Sequence, residues 1–304
     1  PTSGNYTLLS SPSGGLDGGT FDFNVFNATN FSATLNPVTG TEVSVNVTSV
    51  PGGLASAFWV GGQVASAGGV WAQSGAVSSN WASDAGGTLT GLVPGAGTNV
   101  FLSVTSGASQ QGAMSLGAPM TIQSLTVNDT TAVTLSDPIN TLTIDGGAAI
   151  TVNSGAGLTT LDTRLEFTDA APTIQVDNAA GLDISGRITG NAPVKTGAGT
   201  LTISGPTVNT FTGNLTVNEG LVLLNKAGVP AISSGITIGD GTGTDTVRLQ
   251  GVDQFATTAQ VTLQSSGVLD LNDQSTALDA LEGNGLVTNG GSGRSIAPTA
   301  SILT

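Results

Sequence analysis

Residues 195–223 read KTGAGTLTISGPTVNTFTGNLTVNEGLVL. Two triplets within them, LTI at 201–203 and LTV at 215–217, each place two branched apolar residues on one side of an extended chain and threonine on the other. The residues that follow, Ser204-Gly205 and Asn218, are of types that favour tight turns. This stretch therefore predicts very short strands that alternate with turns.

The same strand–turn pattern recurs about every 10 to 20 residues from about residue 121 onward. Its other members are LTV at 125–127, LTI at 142–144, LDI at 182–184, ITI at 236–238, VTL at 261–263 and LDL at 269–271. No window of ten or more residues shows a capped helical stripe, and residues 276–281 come closest. A coil of short strands stacked on itself fits best, because equivalent strands then pair from turn to turn and bury ladders of Leu, Ile and Val.

The composition narrows the class of protein. Of 304 residues 45 are glycine, 38% are hydrophobic and only 9% are charged, and there is no cysteine and no histidine. The chain is too apolar to be disordered, yet too poor in charge and aromatic residues for a typical cytosolic enzyme. Without cysteine there are no disulfides and no thiolate chemistry, so cysteine usage does not indicate the redox compartment.

The charge is strongly acidic, with a formal net charge of −14. All six basic residues lie beyond residue 163, so the part of the chain before them carries eight carboxylates and no basic residue. This excludes a nucleic-acid partner, because phosphate binding needs clustered cations. Residues 52–72 are too rich in glycine and serine for a membrane span. The start at Pro1 has no signal-peptide pattern, so we expect that any export signal was removed or never belonged to this segment.

The patterns divide the chain into three parts. Residues 1–50 predict three or four antiparallel strands, with turns at 13–15 and 36–37. Residues 51–100 form a junction rich in Gly, Ser and Ala that contains Trp59, Trp71 and Trp81. Residues 101–304 form the strand–turn coil. The predicted fold class is thus all-β, a parallel β-helix (β-solenoid) with an N-terminal antiparallel section.

Residues 195–223 resemble the autotransporter-associated β-strand repeat, with Phe211 where the family more often has Tyr and Pro206 where Ala is common. Residues 239–251 and 265–291 are similar to the continuation of that architecture in large bacterial surface proteins. Residues 71–81 with the strands at 100–152 resemble the section that opens such modules, and residues 6–9 the section that closes them. The resemblance implies a right-handed parallel β-helix that is secreted or displayed on a bacterial cell surface.

In this chain, the residues that resemble a closing section (6–9) therefore come before those that resemble an opening section (71–81 and 100–152). The strand–turn coil stops at Thr304 in mid-pattern. An uncapped coil leaves unpaired backbone groups, which the next copy of the chain would cover. We therefore expect head-to-tail assembly into a fibre or array, with the protein itself as partner. The expected assembly residues are Phe21, Phe23, Val25, Val43, Val45 and Val47. A piece of a much longer surface protein would show the same sequence, and this alternative stays open.

The sequence supports an enzymatic function less well than a structural one. Without His or Cys there is no Ser-His-Asp or Cys-His arrangement, and no P-loop or G-x-S-x-G string occurs. Carboxylates could still serve a β-helical polysaccharide lyase or hydrolase, and Asp162 and Glu166 alternate with Arg164 on one strand face. A solvated ladder of ion pairs is the simpler explanation of these residues. We therefore expect a protein that is not an enzyme.

Two kinds of binding site remain as candidates. Asp240 and Asp245 share a glycine-rich turn whose oxygen atoms suit Ca²⁺, although an ordinary turn is the simpler interpretation; no other cofactor is expected. Trp59, Trp71 and Trp81 could form a stacking surface for a glycan, with a buried role as the alternative. The second functional class is thus an adhesin that holds a polysaccharide or a host surface.

Overall fold

The computed structural model describes residues 3–21, 25–26, 29, 31–49, 53–63, 68–74, 78–105, 107–290 and 295–296. Within these ranges the regular elements are all β-strands, and no helix is present. In chain order the strands are β1 (Gly4–Ser10), β2 (Val25–Phe26), β3 (Phe31–Leu35), β4 (Glu42–Ser49), β5 (Ser56–Trp59), β6 (Gln73–Ser74), β7 (Trp81–Ala82), β8 (Asn99–Leu102), β9 (Met120–Ile122), β10 (Ser124–Val127), β11 (Val133–Ile144), β12 (Ile150–Val152), β13 (Thr159–Phe167), β14 (Thr173–Val176), β15 (Leu182–Ile184), β16 (Ile188–Gly190), β17 (Val194–Thr196), β18 (Thr200–Gly205), β19 (Asn214–Val217), β20 (Gly220–Lys226), β21 (Gly235–Ile238), β22 (Asp245–Leu249), β23 (Gln260–Leu263), β24 (Gly267–Asp270), β25 (Ala280–Gly283), β26 (Leu286–Thr288) and β27 (Ser295–Ile296).

Most strands belong to two long sheets that the chain visits in turn. Sheet A runs β7-β5-β8-β10-β12-β14-β17-β19-β21-β23-β25, and sheet B runs β9-β11-β13-β15-β18-β20-β22-β24-β26-β27, with β16 also paired to β13. Apart from β7 and β27 at the ends, neighbouring strands are parallel. The result is a β-solenoid of about eight turns, which confirms the predicted fold class.

The core of the solenoid consists of aliphatic ladders along the stack. In sheet A, Leu125, Ile150 and Ile174 are partners in three successive strands, and all three are fully buried. Thr126 and Thr151, between the inward positions, lie in register on the outer face. Since burial of a Leu or Ile side chain stabilises a fold by about 1.5–3 kcal/mol, each turn adds its own increment of stability.

The corners depend on glycine at particular places. Gly205, the last residue of strand β18, has a φ of 82°, a conformation that residues with a Cβ rarely adopt. A Cβ at this position would also collide with the carbonyl group of Ser185 in the preceding coil. The turn predicted at 204–205 thus begins later than expected: both residues still pair with β20, and the chain bends after Gly205, a position that only glycine fits.

The N-terminal residues form a separate antiparallel sheet in the order β1-β4-β3, which confirms the predicted antiparallel section. One face carries a small core of Ala33, Val45 and Val47, with Phe31 and Leu35 packed against it. The solenoid starts earlier than expected, because β5 and β8 already belong to sheet A and their apolar residues join the main core. Residues 51–100 are therefore more than a junction.

Buried side-chain amides hold successive coils together where the corners leave backbone groups without strand partners. The fully buried Asn209 accepts the Ile188 N–H at 2.9 Å and donates from Nδ2 to the Ala231 carbonyl at 3.0 Å. One amide thus connects the coil before it and the coil after it. Buried polar groups need such partners, because leaving one unsatisfied costs about 1–3 kcal/mol.

We expect the substitution Asn209→Leu to lower the free energy of unfolding by about 2 kcal/mol, because it leaves the Ile188 N–H and the Ala231 carbonyl without a partner. Urea unfolding followed by circular dichroism measures the change. Asn225→Leu is the matched control: this asparagine is exposed on β20, and a change within about 0.5 kcal/mol is expected. Equal losses in both variants would contradict the bridging role.

Candidate functional site

The N-terminal end of the solenoid is closed by its own chain. Strand β7 lies antiparallel beside β5, with Trp81 opposite Trp59 and Ala82 opposite Phe58. The chain then turns back, and Leu89 forms an antiparallel bridge with Ala82. This reversal places a hairpin across the end of sheet A, where a further parallel coil would otherwise be added.

Three tryptophans fill the core beneath this hairpin. Trp59, Trp71 and Trp81 are each 0% exposed, and the ring centroid of Trp81 lies 5.1 Å from that of Trp59 and 5.0 Å from that of Trp71. Their indole N–H groups donate to the Ser109 carbonyl, the Met114 sulfur and the Trp71 carbonyl, respectively. The predicted glycan-stacking surface of these tryptophans is therefore wrong, because none of the rings reaches solvent.

The C-terminal end is built differently. Strand β26 is followed by the short antiparallel β27, but β25 is the last strand of sheet A among the described residues. Leu271, Leu278 and Leu281 at this end are only half-buried, although they pack against the core. In the described part of the chain, this end therefore has a strand edge and incompletely covered leucines.

The N-terminal sheet presents an apolar edge strand. Leu8 is 52% exposed and Leu9 is 48% exposed on β1, and Tyr6 of the same strand is also exposed. A register shift between Thr7 and Leu9 marks a β-bulge at Leu8. Strand β1 carries no charged side chain, so it lacks the charges that commonly protect strand edges.

The expected assembly residues do not form one surface. Val43, Val45 and Val47 are buried within the N-terminal sheet, so they are not available to a partner. Phe21 is half-buried and lies in no strand, and Val25 belongs to β2, which pairs with β6. Phe23 lies outside the described residues. Among the described residues of the N-terminal sheet, the exposed large apolar side chains are Tyr6, Leu8 and Leu9 of β1. The sequence YTLL of this strand resembles a closing section but does not indicate which strand lies at the edge.

The acidic turn with Asp240 and Asp245 is closed by hydrogen bonds. Asp240 accepts the N–H and the hydroxyl of Thr242, and these bonds lower the pKa of its carboxyl. Asp245 accepts the Ser266 hydroxyl at 2.6 Å, while burial raises the pKa of Asp245. The described residues contain no group of three or more acidic side chains that could hold a metal. These contacts are those of an ordinary turn, so the turn supports no calcium proposal.

The carboxylates of β13 lie on the outer face of sheet B, as the alternation predicts. Asp162 accepts the Ser136 hydroxyl at 3.0 Å, and Glu166 accepts the Thr143 hydroxyl at 3.0 Å. Both donors belong to the neighbouring coil. These two carboxylates thus join coils through hydroxyl groups, rather than through the expected ion pairs with Arg164.

Two lysines lie inside the solenoid, which the sequence patterns did not reveal. Lys195 is 0% exposed, and its Nζ donates to the carbonyls of Thr196 at 2.9 Å, Gly197 at 2.6 Å and Glu219 at 3.0 Å. Lys226 is also buried, and its Nζ donates to the Gly186 carbonyl at 3.0 Å. Burial lowers the pKa of each lysine to about 8. Their role is therefore to satisfy corner carbonyls.

No protein-family model, no curated protein and no solved structure matches this chain. The likeness to autotransporter-associated repeats therefore rests on the residues themselves. Within the described ranges, no helix is present that is long and apolar enough to cross a membrane. The two ends of the solenoid and its surface are therefore the features that bear on function.

Proposed function

We propose that this protein is an extracellular, non-enzymatic structural protein whose copies join head to tail into a fibre or array on a bacterial surface. The observation that carries the proposal is the difference between the ends of the solenoid. The N-terminal end is covered by a hairpin and three tryptophans. The C-terminal end, in the described residues, leaves β25 at the edge of sheet A beside half-buried leucines.

The N-terminal sheet offers a partner for that edge. Its edge strand β1 has seven uncharged residues, two of which are the exposed leucines Leu8 and Leu9. In this proposal, β1 of one copy pairs with β25 of the next and covers its half-buried leucines, which is strand addition to a sheet edge. The contact joins two different surfaces, so it does not close into a dimer and continues from copy to copy.

This geometry changes the expected mode of assembly. Two solenoid ends would not stack directly on each other, because the N-terminal end is already covered. The separate N-terminal sheet would instead cover the C-terminal end of the neighbouring copy's solenoid. In a longer chain, the same contact would join successive units.

The acidic charge predicts how salt affects the contact. Each copy carries a net charge of −14, so copies repel one another at low ionic strength. Salt shortens the range of this repulsion to about 8 Å at physiological ionic strength. The proposed contact adds no positive charge that could offset this repulsion, since β1 is uncharged and β25 carries Glu282. It should therefore form more readily as the salt concentration rises.

We expect the double substitution Leu8→Lys and Leu9→Lys to abolish assembly, because charged side chains on an edge strand oppose pairing with another strand. Light scattering and negative-stain microscopy measure fibre length across a salt series. The matched control is the double substitution Ile139→Lys and Val252→Lys, which introduces the same two charges at residues that are 78% and 57% exposed and belong to neither β1 nor β25. This control should assemble like the unmodified protein.

A mixing experiment tests the direction of the contact. The Leu8→Lys, Leu9→Lys variant keeps an intact C-terminal end, so it would accept a neighbour's β1 strand but could not donate its own. Small amounts added to the unmodified protein should therefore end growing fibres and shorten them. Fibres of unchanged length, or monomers at every salt concentration in the unmodified protein, would contradict the proposal.

A further inference from the structure

A cleft of about 460 Å³ lies at one corner of the solenoid, beside the N-terminal hairpin. Its walls come from the loop after β8, from the corner after β10 and from Phe58 on β5. The loop is tied to the hairpin, because Thr105 donates from its N–H and its hydroxyl to the Ala85 carbonyl, at 3.0 and 2.6 Å. Loops that a rigid scaffold positions in this way are common places for ligand binding.

One wall of the cleft includes an aromatic ring, that of Phe58. Phe58 and Phe101 are register partners on the outer face of sheet A, and their rings stack with centroids 4.6 Å apart and planes 10° from parallel. Both side chains are only half-buried. Farther along the same outer ladder the partners are Thr126 and Thr151. The aromatic pair is therefore a local feature of the surface near the cleft.

The other wall is polar and carries one carboxylate. Asp129 accepts the Ser103 hydroxyl at 2.6 Å and the N–H and hydroxyl of Thr131 at 2.8 and 2.6 Å. Burial raises the pKa of Asp129, but these hydrogen bonds outweigh it and the net pKa is lowered. The carboxylate is therefore ionised at neutral pH and fixed in position.

Two amides in the cleft have polar atoms available for a ligand. Asn128 accepts from Nδ2 of Asn153 at 2.6 Å, and Gln111 donates from Nε2 to the Thr131 hydroxyl at 3.2 Å. Among the described residues, the Asn128 Nδ2 and the Gln111 Oε1 have no protein partner. The cleft thus offers both a donor and acceptors next to an aromatic ring.

We propose that this cleft binds a neutral carbohydrate, with one sugar ring against Phe58 and its hydroxyls on Asn128, Gln111 and Asp129. A sugar hydroxyl both donates and accepts, which fits a mixed set of donors and acceptors. The C–H groups of a sugar ring pack against an aromatic face, as apolar groups do. An anionic ligand does not fit, because no lysine or arginine is among the described residues that line the cleft.

The proposal is for binding rather than hydrolysis. Glycoside hydrolases generally use two carboxyl groups that flank the scissile bond. Asp129 is the only carboxylate among the described lining residues. The site therefore adds glycan attachment to the proposed structural role, and it requires no assembly of copies.

The test is isothermal titration of the full chain with maltohexaose, cellohexaose, mannohexaose and N-acetylchitohexaose. We expect at least one of them to bind, and Phe58→Thr to weaken that binding by about tenfold or more. Threonine is the residue that the same ladder carries at Thr126 and Thr151, so the strand should be retained. Asn128→Ala, an exposed change, should weaken binding severalfold. Gln175→Thr is the matched control farther along the ladder and should bind as before.

Three results would overturn the proposal. The first is that none of the four oligosaccharides binds at millimolar concentration. The second is that Phe58→Thr and Asn128→Ala both bind as tightly as the unmodified protein. The third is that tetramethylammonium binds in a Phe58-dependent way while no sugar does, which would identify a cation site. Thermal unfolding of each variant checks that it is folded. If Phe58→Thr is unfolded, Asn128→Ala decides the outcome.

Discussion

Replacing Trp81 by alanine is expected to lower the stability of the N-terminal coils by about 3–5 kcal/mol, the usual cost of removing a buried tryptophan. Trp81 is fully buried, lies opposite Trp59 in the antiparallel pair and donates its indole N–H to the Trp71 carbonyl at 3.0 Å. Its removal leaves a cavity between the two other rings and an unsatisfied carbonyl. The end of the aliphatic core would then open to water.

The loss should be local. In a solenoid each coil contacts only its neighbours, so a defect at one end spreads weakly along the stack. Amide hydrogen exchange is expected to accelerate in β5, β7 and β8, while β20 and β22 keep their protection. Trp81→Phe is the control, because it keeps an aromatic ring and loses the indole N–H, and a smaller effect is expected. A uniform loss of protection along the whole chain would show that Trp81 is not an end cap.

The short alternating triplets allowed the solenoid to be predicted. LTI at 142–144 and 201–203 and five of their equivalents lie in strands with the aliphatic residues inside. LDL at 269–271 departs from this pattern, because Asp270 is buried and Leu271 lies beyond β24 and is only half-buried. The prediction worked because the two-residue period is a local property that one strand shows by itself. The turn glycines are equally local, as the positive φ of Gly205 illustrates.

The ends of the stack could not be predicted in the same way. Parallel and antiparallel strands have the same two-residue period, so the alternation does not reveal that β7 reverses direction beside β5. Tryptophan occurs both in cores and at binding surfaces. Only the packing of Trp59, Trp71 and Trp81 against one another distinguishes these roles.

The proposed binding cleft could not be predicted from the sequence either. Phe58 and Asp129 lie far apart in the chain, and no motif links them. They line the same cleft because β5, β8 and β10 are successive neighbours in sheet A. Their proximity depends on register between coils, which a single sequence does not specify.

The burial of Lys195 could not be predicted from the sequence pattern either, although it concerns a single strand. A two-residue period at 194–196 would place Val194 inside and Lys195 outside, whereas Lys195 is buried and Val194 is half-buried. Lys195 pairs with Ile174 below and Val217 above, so its methylene chain continues their ladder. Its ammonium reaches the corner carbonyls at the end of the strand.

We expect Lys195→Met to lower the free energy of unfolding by about 3–4 kcal/mol. Methionine retains most of the aliphatic volume, but it leaves the carbonyls of Thr196, Gly197 and Glu219 without the donor that satisfies them. Part of this cost is offset, because a buried charge is removed. Urea unfolding at pH 7 measures the change.

Lys226→Met is the matched comparison. Lys226 is also buried and has its pKa lowered to about 8, but its Nζ donates to one carbonyl, that of Gly186. The two substitutions therefore remove a similar buried charge but leave different numbers of carbonyl groups without a donor. We therefore expect this variant to lose about 3 kcal/mol less stability than Lys195→Met. Equal losses in the two variants would rule out carbonyl satisfaction as the reason for the buried lysine.

The pH dependence of stability gives a second test with a definite sign. Burial lowers the pKa of Lys195 to about 8 in the folded protein, although the carboxylates of Glu219, Asp177 and Asp245 oppose the shift. The unfolded chain has the ordinary pKa of 10.5, so between these values it binds more protons than the folded protein, and the free energy of unfolding rises with pH. The rise is at most about 3 kcal/mol for each lysine. Lys195→Met should lose its share of this rise, whereas an unchanged slope in that variant would mean that Lys195 does not titrate in this range.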